Sequence, residues 1–281
     1  MFLAIDAGNT RTKWATFDAQ GEITQTGACI NAAFKNLSLP LETVSSVLIS
    51  NVAGDVHANT IRNMLSGHHI HADWLKSSAK CCNVLNHYAQ PQTLGTDRWA
   101  SLIAAWQMQR MTCVVVNAGT AVTIDALVKL PNYHNQADFL GGMILPGLNL
   151  MQSSLGLSTA QLQHAAANIN INGSTLNLKT ADAMQNGALN AICGAIQNML
   201  TVINKSHHTT AQVIISGGDA DVIAKHLSTV VTTQVLFVDN LVLKGLYCCW
   251  VDKLQNLQSG WLKLNLKKSK SDLRQTWMHC R

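Results

Sequence analysis

The chain of 281 residues is 47% hydrophobic and only 12% charged, which excludes a disordered protein and suits two packed lobes. Its net charge of +5 is uneven: residues 253–281 hold seven Lys/Arg against one Asp, so the body is nearly neutral. No apolar run reaches membrane-spanning length, and a nucleic-acid role would rest on the tail alone, where no aromatic interleaves the run LKKSK.

The first residues carry no basic segment and no small-residue cleavage site, so no signal peptide is read and a cytoplasmic protein is expected. The eight cysteines, including the adjacent pairs Cys81-Cys82 and Cys248-Cys249, show no C-x-x-C spacing. Several lie in apolar stretches, and neither a disulfide nor a zinc framework is expected.

In chain order, FLAI, WATFD and EITQTG read as a strand meander, and VSSVLISNV (Val44–Val52) as a buried strand. A helix follows near Ala58–Leu65. In GTDRWASLIAAWQMQR, residues Trp99, Leu102, Ile103 and Trp106 recur at i, i+3, i+4 and i+7, one helical face, with Thr96 or Asp97 placed to cap its start. The pattern then restarts. CVVVNAG, VTIDALV and FLGGMIL (Phe139–Leu145) read as strands, with PNYHNQAD as a hairpin loop between the last two. A helix near Leu148–Leu155, an Asn-rich loop and a long helix over Thr180–Ile203 follow. QVIISGGDADVIAKHL reads as strand, glycine turn and helix. Leu262, Leu264 and Leu266 alternate as in an edge strand.

The restart echoes the amino terminus. Aligning Asp6 with Asn117 matches Ala7 with Ala118, Gly8 with Gly119 and Thr12 with Thr123. A duplication predicts two similar lobes around a cleft, a usual place for a ligand. A tight Gly turn between strands aims N–H groups at one point, which suits phosphate oxygens. Asn9, Thr10, Thr12, Thr120 and Thr123 add small donors, and Lys13 adds a point charge. Asp6 at a strand end suits Mg²⁺. Asp97 at a helix start is an available proton acceptor, and Arg98 beside it a candidate for binding a carboxylate. The histidines at His68, His69 and His71 have no accompanying ligand pair and read as loop or strand-edge residues.

The ordered set IDAGNTRTK, YAQPQTLGTDRWAS, VVVNAGTAVTID, FLGGMILPGLNLM, TADAMQNG, SGGDA and LVLKGL resembles type III pantothenate kinase over about residues 1–250. The resemblance implies an α/β fold of two duplicated ribonuclease H-like (actin-like ATPase) lobes. The lobes are expected at 1–112 and 113–250, with a basic extension at 251–281. It implies that ATP, with Mg²⁺, phosphorylates pantothenate to 4'-phosphopantothenate, the first step of coenzyme A synthesis. Asp6, Gly8, Asn9, Thr10, Arg11, Thr12 and Lys13 would form one phosphate loop, and Gly119 and Thr120 the other. Asp97 would accept the proton. Tyr88, Gly95, Thr96, Asp97 and Arg98 would line the pantothenate site, with Thr180 reaching it from the partner of a homodimer. Asp6 and Asp125 would hold Mg²⁺. The family's monovalent cation, K⁺ or NH₄⁺, is held by the first Asp of the second loop; here Asn117 stands there, which predicts a weakened or lost cation site. Two other readings stay open: a non-catalytic relative of the same fold, and a kinase for another small hydroxylated acid.

Overall fold

The computed structural model describes residues 1–68, 70–130, 135–158 and 171–258. His69, part of the PNYHNQAD loop, most of the Asn-rich loop and the expected strand in the tail lie outside these residues.

Among the described residues the strands form two sheets with one plan used twice. The first sheet has the order β3-β2-β1-β4-β5, where β1 is Phe2–Ala7, β2 Arg11–Phe17, β3 Ile23–Ile30, β4 Ser46–Asn51 and β5 His71–Trp74. Three antiparallel strands are followed by two that run parallel to β1. In the second sheet β8 (Cys113–Ala118), β9 (Ala121–Lys129), β10 (Ala137–Pro146), β11 (Gln212–Ser216) and β12 (Val235–Phe237) repeat that arrangement. Here β8 takes the place of β1. The duplication expected from the echoed segments is therefore present as topology. Two short strands missed in the sequence, β6 (Lys80–Cys81) and β7 (Val84–Asn86), extend the second sheet beyond β10.

The central strands are apolar on both faces because helices cover both. Leu3, Ile5, Val47 and Ile49 face α1 (Asp55–Leu65), with Ile61 and Leu65 in the same cluster. Val114, Val116, Ile124, Val213 and Ile215 face α4 (Thr180–His207) and α5 (Ala220–Val230) on the outside of the second sheet. The opposite faces, with Phe2, Ala4 and Phe17 from one sheet and Cys113, Val115 and Leu127 from the other, share a single core. That core is filled by α2 (Thr96–Gln109) and by a last helix, α6 (residues 241–258). Trp99, Leu102, Ile103 and Trp106 are fully buried as expected, but so are Ala100, Ser101, Ala104 and Ala105 on the other side. Small residues there let α2 lie between two sheets instead of against one.

Sheet membership does not follow the division expected at residue 112. The β6–β7 hairpin joins the second sheet, and α6 returns to the first, where Trp250 stacks on Phe2 at 4.5 Å and Tyr247 on Phe17 at 4.8 Å. The helix α3 (Leu148–Ser158) follows β10 directly. No helix among the described residues is long and apolar enough to cross a membrane.

Candidate active site

Strand alternation decides which side chains meet. Asp6 lies on the same face of β1 as Phe2 and Ala4, and Asn117 on the same face of β8 as Cys113 and Val115, so both point toward the layer that holds α2. On β9, Asp125 pairs with Val115 in register, and Thr123 with Asn117. The sequence echo is thereby corrected by one residue. Thr12 pairs with Ala7, but Thr123 pairs with Asn117, the counterpart of Asp6, whose own partner is Lys13. The second turn is one residue shorter, so Lys13 and Thr123 are the equivalent positions, and the Thr12–Thr123 match is a coincidence of letters.

The two hairpin tips meet. Thr10 Oγ1 and Thr120 Oγ1 lie 3.0 Å apart across the lobes. In the first hairpin the Gly8 N–H donates to the Arg11 carbonyl at 3.1 Å, and Asn31 clamps the turn by donating to the carbonyls of Gly8 and Asn9. The Thr12 hydroxyl donates to Asn31 Oδ1 at 2.8 Å. Its one proton is then committed, so at the 2.6 Å contact His57 Nε2 must be the donor. Asn9, Thr10, Arg11, Gly119 and Thr120 remain exposed at the mouth.

The start of α2 runs between these strand ends. Neither Thr96 nor Asp97 caps it: Gly95 is the capping residue, without a side-chain bond, and Asp97 Oδ1 accepts the Arg98 N–H at 2.8 Å. Thr96 instead contacts Ser50 at 3.0 Å. Ser50 in turn hydrogen-bonds Asp6, linking helix and first strand through two hydroxyls. Asp6 and Asp97 face one another closely enough to interact by charge. Burial first, then Asp97, pushes the Asp6 carboxyl up to about 7, while Lys13 and Ser50 oppose the rise. Burial also raises Asp97, against the opposing hydrogen bond and charge of Arg98. Asp6 Oδ1 is shut from solvent and has no partner, an unsatisfied acceptor at the end of a strand. That is where a cation or a proton is wanted.

Arg98 and Asp125 form a buried pair. Arg98 Nε donates to Asp125 Oδ2 at 3.1 Å and Nη2 to Oδ1, while Nη1 donates to the Tyr88 hydroxyl at 2.8 Å. Both side chains are almost wholly inaccessible. This corrects two expectations. Asp125 has both oxygens engaged by Arg98 and no open face for Mg²⁺. Arg98 already has its carboxylate, and these bonds commit three of its five N–H groups. A Cβ on Gly142 would sit 2.1 Å from Asp125 Oδ1, and one on Gly147 2.1 Å from the Gly119 carbonyl oxygen. Gly142 and Gly147 of FLGGMILPG are thus places where β10 and the residue after it press against the ion pair and the second hairpin.

The family model for type III pantothenate kinase matches residues 2–202. The chain belongs to that family. A type III pantothenate kinase from Methylobacillus flagellatus is 40% identical over 255 residues, covering 87% of this chain and 96% of the relative. One from Aromatoleum aromaticum is 40% identical over 249 residues, covering 88% and 96%. Solved structures are more distant and bear on the fold alone. A Baf family protein from Campylobacter jejuni superposes with a TM-score of 0.58 at 19% identity, covering 90% of this chain and 99% of that one. The ethanolamine utilization protein EutJ from Carboxydothermus hydrogenoformans gives 0.51 at 11%, covering 88% and 89%. The fold is the two-lobed, actin-like ATPase architecture.

In this pantothenate kinase family member, Asn117 is tied into the protein. Its Oδ1 accepts the Ser101 hydroxyl at 3.0 Å and its amide nitrogen approaches Thr123 Oγ1 at 3.4 Å. The oxygen that could ligate K⁺ already holds a hydroxyl from α2. Thr180 opens α4 with its side chain exposed, and among the described residues none of the bonds that tie the cluster together reaches it. Asn31, Ser50, His57 and Ser101, which position the expected residues, carried no signal in the sequence; each is a common polar residue whose role depends on cross-strand or interlobe proximity.

Proposed function

We propose that this chain is an ATP-dependent pantothenate kinase in which the paired hairpins hold the nucleotide's phosphates and Asp97 accepts the proton of the pantothenate hydroxyl. The observation that carries this reading is the meeting of the hairpin tips, Thr10 on Thr120, with Asp6 at the end of the first hairpin's leading strand and its charge coupled to Asp97 at the start of α2. The backbone N–H groups around Gly8 and Gly119, with Lys13, bind and orient phosphate oxygens. Asp97, held by the Arg98 N–H at the start of α2, is aimed by its helix and kept partly dry. A raised pKa brings a carboxylate nearer to the value at which it takes a hydroxyl proton efficiently. Tyr88 and the remaining N–H groups of Arg98 fix the acceptor molecule, and Asp125 fixes Arg98.

Asp6 is the residue fitted to hold Mg²⁺, because its orphaned Oδ1 is a hard oxygen at the phosphate hairpin. Bound there, the ion would neutralise charge on the phosphates. Asp125 is not assigned to it. We assign no K⁺ ligand role to Asn117. Homodimerisation suits the apolar residues exposed at Leu157, near the end of α3, and at Leu176 and Leu178, just before α4 and Thr180. A cytoplasmic setting suits the seven unpaired cysteines of the described residues.

The deciding experiment incubates the protein with ATP, Mg²⁺ and pantothenate, with and without K⁺, and follows phosphopantothenate by mass spectrometry. Product in either condition is expected. ATP turnover with no phosphopantothenate points to a different acceptor, and no turnover at all returns the chain to a non-catalytic role.

A further inference from the structure

Far from the phosphate hairpins, the fold gathers three thiols that the sequence keeps apart. The Sγ atoms of Cys81, Cys82 and Cys249 all lie within 4.8 Å of one another, and Cys81 and Cys82 are 3.6 Å apart. Cys82 and Cys249 are buried and Cys81 is half-buried. The Asp252 carboxylate, one turn along α6 from Cys249, brings Oδ2 to 4.0 Å from Cys81 Sγ. Asn256, a further turn on, donates to that same oxygen at 3.0 Å and holds the carboxylate in place.

We propose that Cys81, Cys82, Cys249 and Asp252 form a binding site for one Zn²⁺ ion, which clasps the β6–β7 hairpin of the second sheet to the last helix. A tetrahedral ion with Zn–S of about 2.3 Å sets its sulfurs roughly 3.8 Å apart, close to the spacing already present. The three thiols already lie at ligating distance from one another; the Asp252 oxygen, 4.0 Å from Cys81 Sγ, would complete the four-ligand set by a turn of its side chain, and the supporting amide from Asn256 is the kind of outer contact that orients such a ligand.

The hairpin is shaped for this. Lys80 pairs with Leu85 and Cys81 with Val84, which leaves Cys82 and Asn83 as a two-residue turn with φ of 50° and 64°. Such a turn favours Asn or Gly at both positions. Asn83 obeys that preference and Cys82 does not, so the thiol is retained against a local cost. Gln107 near the end of α2 fixes the turn by donating to the Cys82 carbonyl at 2.8 Å. Ten residues of helix separate Gln107 from Asp97, about 15 Å, so the clasp lies at the opposite end of α2 from the proposed chemistry.

Binding of Zn²⁺ requires the three thiols as thiolates and displaces their protons to solvent, leaving three Zn–S bonds and one Zn–O bond.

The test uses the full chain, reduced and stripped of metal, titrated with Co²⁺ and then Zn²⁺. One Co²⁺ per chain is expected, with intense thiolate-to-metal absorption that one equivalent of Zn²⁺ abolishes. Competition against a chromogenic chelator should show Cys249→Ser lowering Zn²⁺ affinity at least 100-fold, while Cys29→Ser, on the edge strand β3, leaves it unchanged. No thiolate-to-cobalt absorption in the unaltered protein would overturn the proposal, as would equal Zn²⁺ affinity in Cys249→Ser. The first result is independent of whether any variant folds.

Discussion

Replacing Asp6 with Asn isolates the electrostatics at the floor of the cleft. Asp6 Oδ1 is sealed and unpartnered, and burial, then Asp97, raises its carboxyl to about 7. The folded protein therefore keeps a proton that the unfolded chain has released above about pH 4. Between about pH 4 and about pH 7 the folded state binds more protons, so stability falls with rising pH. The contribution is complete below the unfolded value and lost as pH passes the folded one. A rise of roughly three units at about 1.36 kcal/mol each sets a ceiling of about 4 kcal/mol. The rest of the side chain is only half-buried, and water there screens part of the cost, so about 2 kcal/mol is expected. Asn keeps the size and removes the titration. Urea unfolding of both proteins from about pH 4 to about pH 8.5 should show Asp6→Asn gaining about 2 kcal/mol on the parent as pH rises, even as phosphoryl transfer is lost. A difference that stays constant across that range refutes a protonated Asp6.

Asp97→Asn should lower kcat by about 10²–10⁴ with little change in the circular dichroism or in KM for ATP, the range expected for loss of a general base. Asp125→Leu leaves the Arg98 guanidinium buried without its counter-charge, and chemical denaturation should report a loss of about 3–5 kcal/mol; adding Arg98→Met should recover most of it, read as a coupling between the two sites in a double-mutant cycle with both single variants. Asn117→Asp adds a charge where Ser101 now donates to a neutral amide, so activity titrated against K⁺ should become more dependent on the ion than in the parent, and superimposable titrations would remove Asn117 from the cation question.

How much of this was legible in the sequence varied with the distance over which a residue acts. The runs of β1 and β8 announce strands covered on both faces, because alternation is absent where helices pack on each side. The face Trp99, Leu102, Ile103, Trp106 announces α2. Its second buried face, built from alanines, does not stand out, since small residues are also ordinary helix formers. The family motifs single out Asp97 as a candidate, but the expected cap is not there, because its side chain bonds the next N–H and Gly95 occupies the cap. The partnership of Arg98 with Asp125 depends on the register of β8 with β9 and the inward face of Asp125, and no spacing along the chain encodes it. The single-residue shortening of the second turn is likewise invisible until Lys13 and Thr123 are seen to pair with Asp6 and Asn117. The thiol cluster joins positions on either side of nearly the whole second lobe.

The return of α6 to the first sheet has a consequence for how the molecule is made. Phe2 and Phe17 emerge from the ribosome about 230 residues before Tyr247 and Trp250, which cover them. At about 5–20 residues per second, the intervening stretch takes roughly 10–50 s to synthesise. Throughout that interval one face of the first sheet is without its aromatic cover. Vectorial synthesis thus leaves the inner face of the amino-terminal sheet exposed until α6 is made.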